Sequence, residues 1–245
     1  MIYIGETQNT ARRKQRRTLA LFSVAMFFFW VAEFLFQYYH ASKNQLAEAL
    51  VRSFSLSGMT LIGASLFSSA LFRWVPRLAQ YWRIRRYLGV SGFILIFLHI
   101  QAVMKLYFNY DLAVVYFSLN PLINPVLFGS IAYSILFLMA ITSTDWAVQK
   151  LTPKVWKILH RFVYVAYVSA LFHFLLIAPE GALNNLAGYV LMVVTAAALF
   201  GHIYWFFEIA RKKHFRSTGS CVGIAIMIAI LLLAYAVWVN LAHIN

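Results

Sequence analysis

Seven apolar runs, at 18–39, 56–72, 87–108, 125–143, 158–178, 186–207 and 221–242, constrain this chain of 245 residues more than any other feature. A run of roughly 20 apolar residues rises far enough as an α-helix to cross about 30 Å of hydrocarbon. In that solvent every backbone N–H and C=O must bond within its own segment or around a closed barrel. These runs are too long, too aromatic and too weakly alternating for barrel strands. The expectation is therefore an all-α polytopic membrane bundle of about seven transmembrane helices, with the second span the shortest. Only 11% of the residues are charged, far below the roughly 25% of soluble domains.

A net charge of +14 invites a nucleic-acid reading until the basic residues are placed against the spans. Five precede the first run, five lie between the second and third, four between the fourth and fifth or, as Arg161, in the first turn of the fifth, and four between the sixth and seventh. Eighteen of the twenty-one thus fall on one side, leaving Lys43, Arg52 and Lys105 on the other. The positive-inside rule then puts the N-terminus in the cytoplasm and the C-terminus outside, in a multi-pass cell inner membrane protein. The basic excess orients the chain and touches membrane lipids; nucleic acid is not an expected partner.

The organisation reads as a cytoplasmic basic segment at 1–17, a six-helix transmembrane domain at 18–207, and a basic loop plus extra helix at 208–245. The basic start before an apolar run resembles a signal peptide but lacks a small-residue cleavage pattern, so it reads as an uncleaved first helix. The longest outer segment, NYDLAVVYFSLNPLINP (109–125), favours an interfacial turn or short helix. The inner loop TSTDWAVQKLTPKVWK (142–157) opens on capping residues and should hold a short helix before Pro153. A single Cys221 excludes an internal disulfide, and no glycine-rich nucleotide motif occurs, so nicotinamide or flavin chemistry needs another polypeptide or a loosely bound cofactor.

Imidazoles inside apolar spans need partners. His99 lies 13 residues beyond Arg86, and His173 lies 13 beyond His160. Both therefore sit roughly 20 Å from the inner edge, on helices running the same way. Two neutral imidazoles at one depth can fill both axial positions of a haem iron inside a bundle. The competing reading is that each ring bonds a backbone carbonyl or a neighbouring helix. His160 lies about 140° around an ideal helix from His173, so it could serve a second, inner haem only where the helix is irregular. Its depth-mate on span three is Arg86, which cannot ligate iron. His202 is the other inner-half candidate, read first as a snorkelling or carbonyl-bonded histidine and alternatively as a ligand. Phe93 and Tyr167, between the two levels, read as core packing ahead of a place between two haems.

RRYLGVSGFILIFLHI (85–100) and ITSTDWAVQKLTPKVWKILHRFVYVAYVSALFHFL (141–175) resemble the ferric-reductase-like transmembrane domain. Within it the chain is most similar to the YedZ-type haem-binding membrane subunits of bacterial periplasmic protein-methionine-sulfoxide reductase systems. The resemblance rests on the double Arg before Leu-Gly, the Leu-His late in that helix, Thr-Ser-Thr, Trp-x-x-Leu-His-x-Phe-Val-Tyr, and a His thirteen residues on. It implies that His99, His160 and His173 are haem-associated and that the chain carries one or two haem b, with FMN or quinone as further candidates. Larger members have a fourth histidine where this chain has Arg86, as YedZ-type members do. Arg52 or Lys105 is then the candidate for an outer haem propionate. Two departures are the extra seventh span and SFSLSGMT (53–60) where a more polar signature is expected.

The leading functional expectation is a transmembrane electron conduit. It would pass electrons from a cytoplasmic flavin reductase or quinol donor to an extracytoplasmic reductase subunit or small acceptor. Two alternatives are a stand-alone ferric, metal or quinone reductase, and a haem-free membrane scaffold or transporter.

Overall fold

A computed structural model describes residues 2–177 and 185–212. The seventh apolar run, 221–242, and the basic loop from residue 213 onward lie outside the described residues. Nine α-helices follow in order among the described residues: α1 (Ile2–Phe36), α2 (Leu46–Trp74), α3 (Arg83–Leu106), α4 (Leu112–Val115), α5 (Val126–Thr142), α6 (Asp145–Lys150), α7 (Pro153–Arg161), α8 (Val163–Ile177) and α9 (Leu186–Lys212). Five stretches are long and apolar enough to cross a membrane: Arg17–Ala41, Leu46–Trp74, Arg83–Leu106, Lys154–Ile177 and Leu186–Trp205. The helix α5 is apolar but shorter, with 17 residues. This is an all-α membrane bundle.

The expectation of a short second span fails: α2 has 29 residues. Its polar outer end, which broke the apolar run, is helical because the polar groups bond within the helix. Glu48 and Arg52 pair at i,i+4. Ser53 and Ser55 return their hydroxyls to the carbonyls of Leu50 and Arg52, at 3.1 and 3.0 Å. Upstream, α1 runs without a break from the basic N-terminal segment into the first apolar run and ends in a π-turn, Gln37–Ala41. Lys43 and Asn44 then take left-handed φ values of 46° and 65° to reverse the chain.

The outer segment and the inner loop form as their capping residues dictate. Asp111 accepts from the N–H groups of Ala113 and Val114 to start α4. Thr144 caps α6 and Thr152 caps α7, with Pro153 at the first helical position. Span five is broken at Phe162 between α7 and α8, so His160 and His173 belong to different helices.

Helix α2 is the hub, packed by α1, α3 and α9, while α5 packs on α8 and, less extensively, on α3. The backbones of α2 and α3 nearly touch. A Cβ on Gly92 would lie 2.8 Å from the Gly58 carbonyl oxygen, and one on Gly58 would lie 2.9 Å from Ile96 Cδ1. Small residues allow such approach where lipid supplies no hydrophobic drive. On the other face Tyr167, buried in the core, bonds Thr195 of α9 at 2.8 Å and covers Gly63, so its role is packing, as expected. The four helices α2, α3, α5 and α8 thus form a ring in which α3 and α8 do not pack closely on each other.

Candidate functional site

Helix register sets the heights of the histidines. Phe93 of α3 stacks on Tyr133 of α5 with ring centroids 6.1 Å apart. These helices run in opposite directions, so His99, six residues outward on α3, comes level with Leu127 of α5. His173 touches α5 on both sides of that position. Its Nδ1 lies 3.0 Å from the Pro125 carbonyl, and its ring lies against Gly129, where a Cβ would be 3.0 Å from Nδ1. The two rings share a level and lie within Coulombic reach of each other.

Each ring is held by a carbonyl of a neighbouring helix. His99 Nδ1 lies 3.0 Å from the carbonyl oxygen of Val51 on α2. A carbonyl only accepts, so Nδ1 carries the proton in both rings, and Nε2 of each neutral imidazole keeps its lone pair. Neither Nε2 is in a hydrogen bond among the described residues. Both histidines are also only half-buried, although they lie deep between helices. Carbonyl bonding was the competing reading of this pair. It proves compatible with ligation, because it occupies only one nitrogen per ring and fixes the tautomer a ligand needs.

The Pro125 carbonyl is itself fixed, by Phe128 N–H at 3.1 Å and by the turn that precedes it. Asn124, 1% exposed, gives Nδ2–H to the carbonyls of Val115 and Ser118 at 2.9 and 3.2 Å, and its Oδ1 accepts from Val126 N–H at 3.3 Å. The outer segment is thereby pinned over α5 beside His173. Sequence reasoning read Asn-Pro only as turn chemistry and missed Asn124, Val51, Pro125 and Gly129 as supports. A carbonyl has no side-chain signature; Gly129 in an apolar run was the one visible hint.

The inner-half histidines are held differently. His160 Nδ1 lies 3.1 Å from the Trp156 carbonyl, Nε2 lies 3.3 Å from Ser143 Oγ, and the ring stacks on Trp156 with centroids 3.9 Å apart. His202, 7% exposed, is packed on Tyr164, whose hydroxyl lies 3.4 Å from each ring nitrogen. Arg85 and Arg73 exert their charges on His202 and Tyr164, so the inner half of the bundle is electropositive.

The remaining candidates lie at the rims. Arg86 pairs with Asp145 of α6 at 2.5 Å on the exposed inner surface, tying α3 to the inner loop. Arg86, first by its hydrogen bond and then by its charge, holds the Asp145 carboxyl below the ordinary carboxylate value. Arg52 pairs with Glu48 one residue from the Val51 carbonyl, close to the outer histidine level. Nearby, burial and then Glu48 raise the Tyr107 phenol, with Arg52 opposing. Lys105 lies exposed near the outer end of α3. Among the described residues no three His, Cys, Asp or Glu cluster as a bare-metal site.

Residues 66–171 match the family described as ferric reductase like transmembrane component. His99 and His160 fall inside the match and His173 just beyond it. The chain is also 26% identical over 144 residues to the protein-methionine-sulfoxide reductase heme-binding subunit MsrQ of Brucella ovis, covering 58% of this chain and 62% of the relative. The corresponding proteins of Brucella canis and Brucella suis match to the same extent. The chain thus spans somewhat under two thirds of the length of these relatives. Residues 66–171, which hold His99 and His160, are thus similar to the ferric reductase like transmembrane component, and the chain is similar over 144 residues to the MsrQ subunits.

Proposed function

We propose that the protein is a haem-b transmembrane electron carrier, passing electrons from a cytoplasmic-side or quinol donor to an acceptor on the outer side. In this reading it serves as the membrane subunit of an extracytoplasmic reductase system. One observation carries it: His99 and His173 share a level on helices that do not pack closely together, each with Nδ1–H committed to a carbonyl and Nε2 unprotonated. That donor set fits a haem, which His99 and His173 would hold through Nε2 and which would supply one-electron redox chemistry there.

The protein's part is orientation and shielding. Val51 and Pro125 hold the two imidazole tautomers, and Phe128 N–H, with the turn that Asn124 pins, keeps the second carbonyl in place. The buried side chains of Ile96 and Leu171 exclude water on the core side. Arg52, beside Val51, supplies positive charge for a propionate at the outer end. His160 and His202 are the imidazoles available to a second, inner haem, and ligation there requires His160 or His202 to give up its present hydrogen bonds. The names of the Brucella relatives support both the haem and the reductase partner.

A pyridine haemochrome spectrum of the purified full chain, with protein quantitation, tests the reading. A low-spin b-type spectrum, reducible by dithionite, is expected. A colourless pure protein overturns it in favour of a haem-free scaffold or transporter. In proteoliposomes, reduction by a quinol alone supports the quinol donor, whereas a requirement for a flavin reductase supports the other.

A further inference from the structure

At the basic end of the bundle, α2 and α9 run in the same direction and pack so closely that a Cβ on Gly201 would run into the Ala70 methyl. Just beyond that contact, Trp74, Phe200 and Tyr204 line an open cleft of about 300 Å3. Trp74 meets Phe200 and Tyr204 edge-on, with centroids 6.2 and 6.0 Å apart, and is backed by Phe67 at 6.2 Å. The walls are therefore rigid and aromatic, yet Phe200 is 64% exposed, on a helix that spans the membrane. The cleft opens toward lipid.

A cation adjoins the cleft, since Arg73 precedes Trp74 in the chain. The Arg73 guanidinium lies 3.8 Å over the Trp205 ring, an arrangement that occupies one face and leaves the planar N–H edge for a partner. Arg73 belongs to neither of the two ion pairs formed among the described residues. Arg85 of α3 adds a second positive charge within Coulombic reach. The carboxylate nearest in sequence on this face of α9, Glu208, lies one turn further along and is engaged in interactions of its own.

We propose that this cleft binds an anionic phospholipid, its phosphate on the N–H edge of Arg73 and the first part of an acyl chain along Trp74, Phe200 and Tyr204. Charge complementarity selects the occupant. A rigid aromatic groove facing hydrocarbon takes an acyl chain, and an arginine edge at the membrane–water boundary takes a phosphate bidentately. A zwitterionic lipid offers the same chain, but its cationic headgroup offsets the attraction to Arg73 and Arg85.

Native mass spectrometry of the full chain, delipidated and then offered equal amounts of phosphatidylglycerol and phosphatidylcholine, tests the assignment. One tightly retained phosphatidylglycerol per chain is expected, with retention reduced about fivefold by Arg73→Gln. Phe200→Ala should weaken retention with the charge intact, and Arg77→Gln, a control outside the cleft, should not. Helix content by circular dichroism identifies any variant that fails to fold. Equal retention of the two lipids, unchanged retention in Arg73→Gln, or displacement of the lipid by a soluble quinone analogue would each overturn the proposal. None of these readouts uses haem, so failure here is distinguishable from failure of the electron-carrier reading.

Discussion

At the outer level, His99 and His173 each bond one carbonyl through Nδ1 and keep Nε2 out of hydrogen bonds among the described residues. At the inner level, both nitrogens of His160 already have partners, and His202 is packed edge-on against Tyr164. All four residues are histidines within stretches long and apolar enough to cross a membrane, and composition alone treats them alike. The difference lies in what the neighbouring helices present. Helices α2 and α5 offer the outer rings backbone carbonyls, which can only accept and therefore leave the second nitrogen basic. The inner rings also meet a carbonyl, of Trp156 for His160 and of Leu66 for His202, but each has a hydroxyl besides, from Ser143 or Tyr164, and a hydroxyl can bond the second nitrogen. An intramembrane histidine is thus a ready ligand or a satisfied structural group according to its second partner.

The largest test of that contrast is deletion of the rings. His99→Ala or His173→Ala should lower haem affinity beyond the roughly 10–100-fold expected for losing a mere supporting bond. His160→Ala and His202→Ala should leave the low-spin signal of the outer level in place. Equal loss of absorbance in all four variants would erase the distinction.

Next comes Gly129. An alanine Cβ there would sit 3.0–3.1 Å from three atoms of the His173 ring, which must give by a few tenths of an ångström, and a valine would displace it further. Gly129→Val should lower haem affinity about 10-fold or more, and Gly129→Ala should shift the low-spin electron paramagnetic resonance signal with little loss of haem. A spectrum unchanged in both variants would show that the ring position is irrelevant.

Asn124→Ala should act more weakly on the haem and more on stability. It leaves the Val115 and Ser118 carbonyls without their amide donor, at about 1–3 kcal/mol, and loosens the turn beside the Pro125 carbonyl, which Phe128 N–H still holds at 3.1 Å. A lowered thermal midpoint is expected together with a heterogeneous low-spin signal; a lowered midpoint with an unaltered signal would reduce Asn124 to a loop staple.

The smallest effect belongs to the exposed Arg86–Asp145 pair. Because the folded carboxyl titrates below its ordinary value of 3.8, the pair's contribution is complete above that value and is lost as the pH falls through the depressed one. Wild type and Asp145→Asn should therefore differ slightly in thermal stability near neutrality and converge in strong acid. A difference that grew toward low pH would reverse the sign and break the assignment.

Much of this was legible in the one-dimensional pattern. The described spans fall where the apolar runs fall, because hydrocarbon leaves a helix as the only open-chain way to satisfy the backbone. The outer-segment and inner-loop helices start where Asp111, Thr144 and Thr152 supply capping oxygens. The second span was misjudged because hydropathy scores Glu48, Arg52 and the serines as polar, whereas within α2 they neutralise one another. The histidine pair was found by counting residues from the basic edge, which works because helical rise is constant.

The sequence by itself determined a basic-ended, multi-span helical bundle with two histidines at one depth, since run length, charge placement and helical rise are all local properties. Only the tertiary structure decided which nitrogen of each ring carries the proton. It alone broke span five at Phe162 and brought the Val51 and Pro125 carbonyls against His99 and His173. Those outcomes depend on backbone carbonyls and on the close approach of helices far apart in the chain, and carbonyls are the same at every residue.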